Sequence, residues 1–198
     1  MSLRTYVRDF LSALPEALVY IQNCSDAKFE KNVTALLLEA ITSLEQQRNY
    51  YKGAKEEQMT GTLLGFFHRY GIRANSQTNS NGHVDVFVYK IGSPQLVICI
   101  EAKIWGGSKR HTTSDMAQIM RYTSGRYPFA YLLVYVRGKD ISKRMELLKK
   151  RLDLRRPHNQ TSNCDDLPNS PWALKSEHKH VSGKNVTLYH VGVNMCTL

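Results

Sequence analysis

Two stretches in the first third of the chain repeat apolar residues at the spacing of an amphipathic helix. Between residues 26 and 47 apolar side chains recur three and four positions apart, and Asp26 is the predicted N-cap. A further helix is predicted over 54–70, with Gly71 ending it at the C′ position. Residues 1–53 are therefore expected to form a helical N-terminal segment, in which Pro15 starts or breaks an earlier helix.

After Gly71 the pattern changes to short apolar runs that are typical of strands. Strands are predicted over 83–90, 95–105 and 129–137 and near the end of the chain, within 181–198. Helices are predicted over 113–124 and 141–154, and the Pro-, Ser- and Asn-containing stretch 155–180 reads as a long surface loop. This order predicts a single α/β domain of the α+β mixed type, with a central mixed β-sheet flanked by helices.

Composition narrows the class of protein. The 198 residues suit one domain, and no apolar run approaches the roughly 18 residues of a membrane span. The first ten residues show no apolar core of a signal peptide, and the four cysteines form no CxxC pair. We expect a reduced, cytoplasmic protein with no membrane partner, in which Cys99 is a small core residue.

The charge balance points to a polyanionic partner. The formal net charge is +10, and such an excess favours nucleic acid over a membrane surface. Five Lys or Arg residues lie between Lys103 and Arg126 against Asp115 alone, and eight lie between Lys139 and Arg156 against three acidic residues. A basic protein without a polyanionic partner remains an alternative, since charge alone discriminates weakly.

Three charged residues interrupt the two most apolar strands. Because strand side chains alternate between faces, Glu101 and Lys103 point the same way at the end of the strand over 95–105, just before Gly106 and Gly107 break it. If residues 91–94 form a hairpin turn, Asp85 on the preceding strand lies beside Glu101. Unpaired buried charges are costly, so the three groups are expected to share partners.

This arrangement resembles the active site of the PD-(D/E)xK nuclease superfamily, which has the restriction-endonuclease-like fold. The matching residues are Asp85 and Glu101-Ala102-Lys103, and Val84 stands where the family has Pro. The resemblance implies that Asp85, Glu101 and the carbonyl of Ala102 bind Mg²⁺ or Mn²⁺. It also implies that Lys103 orients or deprotonates the attacking water. The positive charge of a neighbouring metal is expected to depress the pKa of Lys103, which suits proton abstraction.

Two neighbouring helices fit the same resemblance. The superfamily often places an acidic residue on the helix before the sheet, and here Glu56 is favoured over Glu57 because it lines up with the apolar stripe of its helix. The helix after the ExK strand often supplies a Gln, which Gln118 matches, followed by Tyr122 four residues later. Each of these has an ordinary alternative, either charge at a helix N-terminus or a polar surface residue.

Short patterns of this kind also arise by chance, and the chain contains two further matches. Asp9 precedes Asp26-Ala27-Lys28, and Asp166 precedes Glu177-His178-Lys179. The first match lies in helical sequence and the second in the predicted loop, so neither has the strand context. For the trio of Asp85, Glu101 and Lys103, the alternative is a structural ion-pair cluster.

Other polar and aromatic residues add little to the site. His83 shares a strand face with Asp85 and could border it, and His111 is expected in a loop where it could approach a phosphate. His178, His180 and His190 show no convincing metal-ligand spacing. Trp105 is expected to be a core aromatic rather than a surface for stacking a base.

The sequence therefore predicts a magnesium-dependent endonuclease that hydrolyses nucleic acid, with DNA the favoured substrate. The helical N-terminal segment is a candidate for forming a homodimer. Two alternatives stay open: a catalytically inactive module on the same fold that binds nucleic acid or a protein partner, and an RNA-cleaving toxin. Restriction, phage defence, repair and mobile-element processing are all compatible with such an enzyme, as are sequence-specific, structure-specific and indiscriminate cutting.

Overall fold

The computed structural model describes residues 24–76, 78–79, 83–90, 97–123, 128–168 and 170–197. Helix α1 spans Asp26–Gln46 and is followed by a 3₁₀ turn, Arg48–Tyr51; helix α2 spans Glu56–Arg69. The predicted N-cap is wrong by one position, because Ser25 is the N-cap and Asp26 begins the helix. The predictions about Pro15, Asp9 and the turn at residues 91–94 fall outside the described residues.

Both N-terminal helices bury one apolar stripe. The buried residues of α1 recur at helical spacing, which is the pattern expected of a helix lying on a sheet: Phe29, Val33, Leu36, Leu37, Ala40, Ile41 and Leu44. Helix α2 buries Met59, Leu63 and Phe67 in the same way. It ends at Gly71, whose φ of 64° lies in the left-handed region that favours glycine, as the sequence predicted.

A seven-stranded mixed sheet forms the centre of the molecule. Its strands follow in chain order: β1 Ala74–Asn75, β4 Val86–Tyr89, β5 Val97–Ile104, β6 Phe129–Val136, β7 Asp165–Asp166, β8 Ala173–Lys179 and β9 Asn185–Asn194. Across the sheet the order is β1-β4-β5-β6-β9-β8-β7. The central pairs β5–β6 and β6–β9 are parallel and the outer pairs antiparallel. Strands β2 (Thr78–Asn79) and β3 (His83–Val84) form a separate pair.

Helices cover both faces of this sheet, as predicted. Alternate residues of β5 show the division: Ile98, Ile100 and Ala102 pack with α1 and α2, whereas Cys99 packs on the opposite face. That opposite face is covered by helix α3, Met116–Thr123, and helix α4, Ile141–Arg155. Strand β6 is buried along its whole length, which explains its continuous apolar sequence.

The helix after β5 begins earlier than the sequence predicted. Gly107 turns the chain with a φ of 102°, and a short helical turn, Ser108–Arg110, leads into a π-helical segment, His111–Asp115. Helix α3 continues directly from this segment. Single π-helical turns of this kind often occur at functional sites.

The predicted surface loop over 155–180 is a wrong prediction. Strands β7 and β8 lie within it, and β8 runs antiparallel to β9 over seven residue pairs. Strand β8 buries Ala173, Leu174, Ser176 and His178. Two of these four are polar, so the alternation that marks a half-buried strand is hidden in the sequence.

Two further expectations concern membranes and cysteines. Among the described residues, we found no helix with the length and apolar character required for crossing a bilayer. All four cysteines are free thiols, and Cys99 is fully buried, as expected of a small core residue.

Candidate active site

Four charged side chains meet where β5 ends. Glu101 and Lys103 lie on β5, Asp85 lies at the bend between β3 and β4, and Glu56 opens helix α2. In the antiparallel pairing of β4 with β5, Val86 lies opposite Ile100, so the next position places Asp85 opposite Glu101. The strand pairing thus brings together the trio that the sequence singled out.

Unpaired backbone groups of β5 explain the positions of two carboxylates. Strand β4 begins only at Val86, so the N–H groups of Ala102 and Ile104 on that edge extend beyond it. The N–H of Ala102 donates to Oδ2 of Asp85 at 2.8 Å, and the N–H of Ile104 donates to Oε2 of Glu56 at 2.9 Å. The two carboxylates therefore continue the hydrogen bonding of the strand edge.

The ammonium group of Lys103 lies among three carboxylates. Its Nζ is 2.5 Å from Oε1 of Glu101, 3.3 Å from Oε1 of Glu56 and 3.8 Å from Oδ2 of Asp85. Burial lowers the pKa of Lys103, but attraction to Glu101, the hydrogen bond to it, and attraction to Asp85 and Glu56 outweigh burial and leave the pKa above its usual value. Without a metal, Lys103 is therefore protonated and serves as the counterion of the cluster.

Glu101 is the most deeply buried of the four charged side chains. Its side chain is fully buried; Oε1 accepts hydrogen bonds from Lys103 and Gln118, while Oε2 has no partner within the described part of the chain. Burial and then the charge of Asp85 raise the pKa of Glu101 to about 7, against the opposing attraction of Lys103. A buried carboxylate oxygen without a partner is destabilising, and a cation or a proton would relieve it.

The cluster as a whole is short of positive charge. Burial raises the pKa of Asp85, with the Ala102 hydrogen bond and Lys103 acting in the opposite direction. Three carboxylates share the single ammonium of Lys103, so the fully ionised cluster is net negative. Additional positive charge at this point would stabilise all three carboxylates.

Gln118 approaches the cluster from helix α3, on the face of the sheet to which Glu101 points. Its Nε2 donates to Oε1 of Glu101 at 2.6 Å and lies 3.3 Å from the hydroxyl oxygen of Tyr122, one helical turn further on. Helix α3 therefore brings Gln118 to the end of β5, at the position that the sequence suggested. Gln118 fixes the orientation of the Glu101 carboxylate, because it occupies the same oxygen as Lys103.

The oxygen atoms of the cluster are of the chemical type that Mg²⁺ and Mn²⁺ prefer as ligands. Asp85 and Glu101 supply carboxylate oxygens next to the backbone of Ala102, and Oε2 of Glu101 is available. Mg²⁺ is commonly held by one or two carboxylates and several waters. In the described residues, however, no group of three or more His, Cys, Asp or Glu side chains is arranged to hold a metal ion, and Lys103 lies between the carboxylates.

The residues that the sequence favoured lie in the cluster, and the alternatives described here do not. Glu57 is exposed, whereas Glu56 reaches the cluster. In the competing match, Asp166 pairs with Lys149 while Glu177 pairs with Lys175 and Thr187, so these two carboxylates have separate partners. Trp105 is partly buried against the core, as expected for a core aromatic. The side chain of His83 lies outside the described set.

A buried chain of histidines is the feature that sequence reasoning missed. His111 was expected in a loop near phosphate, but it lies fully buried in the π-helical segment, with Nε2 2.9 Å from Nδ1 of His190. Ser176 Oγ connects His190 to His178, at 2.7 Å and 2.8 Å. These residues lie up to 79 positions apart, and no local spacing in the sequence indicates their contact.

Comparison of the chain with protein-family models, with characterised proteins and with solved structures gave no match. The arguments for function therefore come from the residues and from their geometry.

Proposed function

We propose that this protein is a divalent-cation-dependent nuclease that hydrolyses phosphodiester bonds, with DNA as its substrate. The observation that carries the proposal is the convergence of Asp85, Glu56, Glu101 and Lys103 at the end of β5, with Gln118 on Glu101. These are the residues on which the resemblance of the sequence to PD-(D/E)xK nucleases rests. The proposed cofactor is Mg²⁺ or Mn²⁺, which oxygen ligands favour.

Each residue has a role in this proposal. Asp85 and Glu101 would hold the cation, because they supply facing carboxylates and Oε2 of Glu101 has no partner among the residues that the structure describes. When bound, the cation would polarise the phosphodiester and stabilise the leaving oxygen. Lys103 would orient or deprotonate the attacking water. Glu56 would keep Lys103 at the cluster, and Gln118 would keep the Glu101 carboxylate in one orientation.

A cleavage assay tests the proposal directly. The purified protein is incubated with duplex, single-stranded and branched DNA and with RNA, in Mg²⁺ and in excess EDTA. We expect cleavage of at least one DNA substrate that EDTA abolishes. Cleavage of RNA alone would instead support the RNA-cleaving toxin, and cleavage that persists in EDTA would contradict the metal-dependent mechanism.

Substitution of Lys103 tests the assigned chemistry. We expect Lys103→Ala to keep binding nucleic acid while cleavage falls by a factor of about 100 or more, the scale on which positioned acid–base groups act. Lys175→Ala is the matched control, because Lys175 also forms an ion pair with a glutamate, at 2.9 Å from Glu177 on β8. Cleavage by Lys103→Ala at the wild-type rate, in protein folded by circular dichroism, would overturn the assignment.

One observation favours a second candidate, a binding module on the same fold without catalysis. Lys103 already neutralises part of the cluster, and backbone N–H groups already hold Asp85 and Glu56. A structural ion-pair cluster would have these contacts too. This candidate predicts nucleic-acid binding with no cleavage of any substrate, and loss of folding in Lys103→Ala.

A further inference from the structure

A groove of about 680 Å³ lies beside helix α3, outside the carboxylate cluster. One wall is formed by α3 and the π-helical segment before it, through Ser114, Ala117, Met120 and Arg121. The other wall is formed by the loop after α4 and by the turn between β8 and β9. This volume is within the usual range for a small-molecule or nucleotide site, about 300–1,000 Å³.

The lining combines apolar contacts with positive charge. Ala117, Met120 and Val181 supply apolar surface, and Val181 is exposed over 92% of its area. Arg121 and Lys179 supply cations, and none of the described residues that line the groove is acidic. An apolar surface beside cations and without carboxylates is complementary to a ligand with a flat apolar part and an anionic part.

Planar side chains complete the second wall. His158 and His180 both line the groove. The ring of His180 is held in place, since its Nδ1 accepts the N–H of Ser182 at 3.1 Å. Imidazole rings and arginine guanidinium groups are surfaces on which unpaired nucleobases stack.

The loop that carries His158 has an unusual backbone. His158 and Asn159 have φ values of 51° and 55°, in the left-handed region that most side chains avoid. Two hydrogen bonds hold this conformation: the N–H of Lys179 donates to the carbonyl of Asn159 at 3.0 Å, and Asn159 Nδ2 donates to the carbonyl of Lys179 at 3.3 Å. Such conformations persist where surrounding contacts determine them, and they concentrate at binding sites.

The buried histidine chain fixes this loop from inside. The carbonyl of His158 can only accept, so His178 Nδ1 donates to it, at 3.1 Å. A neutral His178 then accepts at Nε2 from the Ser176 hydroxyl, whose oxygen accepts from Nε2 of His190. Nδ1 of His190 is left to accept from His111 Nε2, so one carbonyl sets the direction of every hydrogen bond in the chain.

The two ends of this chain lie at the two walls of the groove. His111 belongs to the π-helical segment that also contains Ser114, and His158 is itself a lining residue. The chain therefore connects the π-helical segment to the loop at His158 through the protein interior, and it limits how far these two segments can move relative to each other. A site prepared in this way loses less conformational entropy when a ligand binds.

Helix α3 connects the groove to the proposed catalytic centre. Gln118, which contacts Glu101, is next in sequence to Ala117 and three residues before Arg121. Residues three apart on a helix have Cβ atoms about 5–6 Å from each other. A nucleotide bound against Arg121 would therefore be close enough to the cluster to share a strand with a phosphodiester bound there.

We propose that this groove binds one unpaired nucleotide of the substrate strand, with its base against the apolar surface and the histidine rings and its phosphate at Arg121 and Lys179. The proposal rests on the proposed nuclease function, since it assigns the groove to the substrate of the same site. It implies that the protein prefers single-stranded segments, or strands that it can locally unpair, over an intact duplex.

Binding measured in EDTA tests this proposal without any cleavage. Fluorescence anisotropy is recorded with a labelled oligothymidylate of twelve nucleotides, with an abasic strand of equal length and with a duplex of equal length. We expect the oligothymidylate to bind at least fivefold more tightly than the abasic strand and the duplex. Arg121→Ala and Lys179→Ala should each weaken its binding about fivefold and lower the salt slope by about 1.

Two further variants sharpen the test. Val181→Glu places a carboxylate at the groove on a side chain that is exposed over 92% of its area, so it should weaken binding without affecting folding. Lys31 is an exposed lysine on α1, which packs on the other face of the sheet. Lys31→Ala removes one positive charge, as Lys179→Ala does, but it should change binding less than twofold. Equal losses in Lys31→Ala and Lys179→Ala would overturn the site, because they would indicate a general charge effect.

The remaining outcomes each decide the question. Equal affinity for the abasic strand would show that no base is bound, and equal affinity for the duplex would show that no unpaired nucleotide is required. If thymidine monophosphate competes at the affinity of the oligonucleotide, the groove is a site for free nucleotides instead. Failure of the cleavage assay leaves this binding readout intact, so the two proposals fail separately.

Discussion

At the scale of single residues, Lys103 and a divalent cation would share the same carboxylate groups. The ammonium of Lys103 is 2.5 Å from Oε1 of Glu101 and also faces Glu56 and Asp85. It leaves Oε2 of Glu101 without a partner among the described residues. An added cation would therefore gain an unused ligand atom, but it would have to share the cluster with a positive charge.

This competition predicts opposite effects of two substitutions on cation binding. Lys103→Ala should bind Mn²⁺ at least as tightly as the wild type, because a repelling charge is removed. Asp85→Asn should lose most of the binding heat, because a carboxylate ligand is removed. Isothermal calorimetry measures both, and Asp166→Asn is the control, since Asp166 is an exposed carboxylate that pairs with Lys149.

Two results would contradict this prediction. Wild-type Mn²⁺ binding by Asp85→Asn would move the metal site elsewhere. Loss of Mn²⁺ binding in a folded Lys103→Ala protein would mean that the lysine organises the carboxylates and does not compete with the cation.

At the scale of elements, the first turn of α2 decides which acidic residue joins the cluster. Glu56 and Glu57 are adjacent, but only Glu56 accepts the N–H of Ile104 and approaches Lys103. Helical periodicity predicted this choice from the sequence, because Glu56 lies in line with the buried residues Met59 and Leu63.

Paired substitutions in this turn test the role of the element. Glu56→Gln should lower the free energy of unfolding by about 1–3 kcal/mol, since it weakens the charge-assisted hydrogen bond to Ile104 and an ion pair that is largely buried. Glu57→Gln should change it by less than about 0.5 kcal/mol, as is usual for exposed positions. Urea denaturation measures both, and equal effects would refute the special position of Glu56.

The histidine chain between β8, β9 and the π-helical segment predicts sensitivity to acid. Burial lowers the pKa of His111 to about 3, that of His178 below its usual value and that of His190 far below it. These groups stay neutral in the folded protein but take up protons near pH 6.5 when the chain unfolds. Their contribution to stability is therefore present above pH 6.5 and is lost progressively as the pH falls below it.

Urea denaturation between pH 7.5 and 5.0 measures this loss. Each histidine contributes a slope of up to about 1.4 kcal/mol per pH unit below its unfolded pKa. His178→Asn keeps a side-chain N–H for the carbonyl of His158 and should reduce the slope by about one proton. A slope that His178→Asn leaves unchanged would contradict the buried neutral histidine at this position, whereas the wild-type slope alone also contains the opposite contribution of Glu101, whose pKa is raised to about 7.

The strand elements show what the sequence could and could not predict. The period of two placed Glu101 and Lys103 on one face of β5, and the apolar runs located the central strands, because these strands bury both faces. Strand β8 was missed because two of its inward residues, Ser176 and His178, are polar. Their burial is tolerated only through hydrogen bonds to His190 on β9 and the backbone at His158, which are tertiary contacts that no local pattern encodes.

At the scale of the whole molecule, the two faces of the sheet carry opposite charge. Helix α4 has six basic residues and two acidic ones, whereas α1 has two basic residues and four acidic ones. The two helices pack against opposite faces of the sheet. The groove beside α3 lies on the same side of the sheet as α4, so the positive charge of α4 is on the side where the substrate is proposed to bind.

This asymmetry predicts a strongly salt-dependent affinity that depends on one face of the molecule. Contact with three or more phosphates of a single strand would give a log–log slope of affinity against salt steeper than about −2. Lys143→Glu reverses the charge of an exposed side chain on α4, and it should weaken binding and make the salt slope shallower. Lys31→Glu reverses the charge of an exposed side chain on α1, and it should change the affinity less than twofold and leave the slope unchanged. Anisotropy titrations of a labelled oligothymidylate between 50 and 300 mM KCl in EDTA measure both. An affinity that is independent of salt would exclude phosphate contacts as its source, and equal effects of the two reversals would show that net charge acts without regard to face.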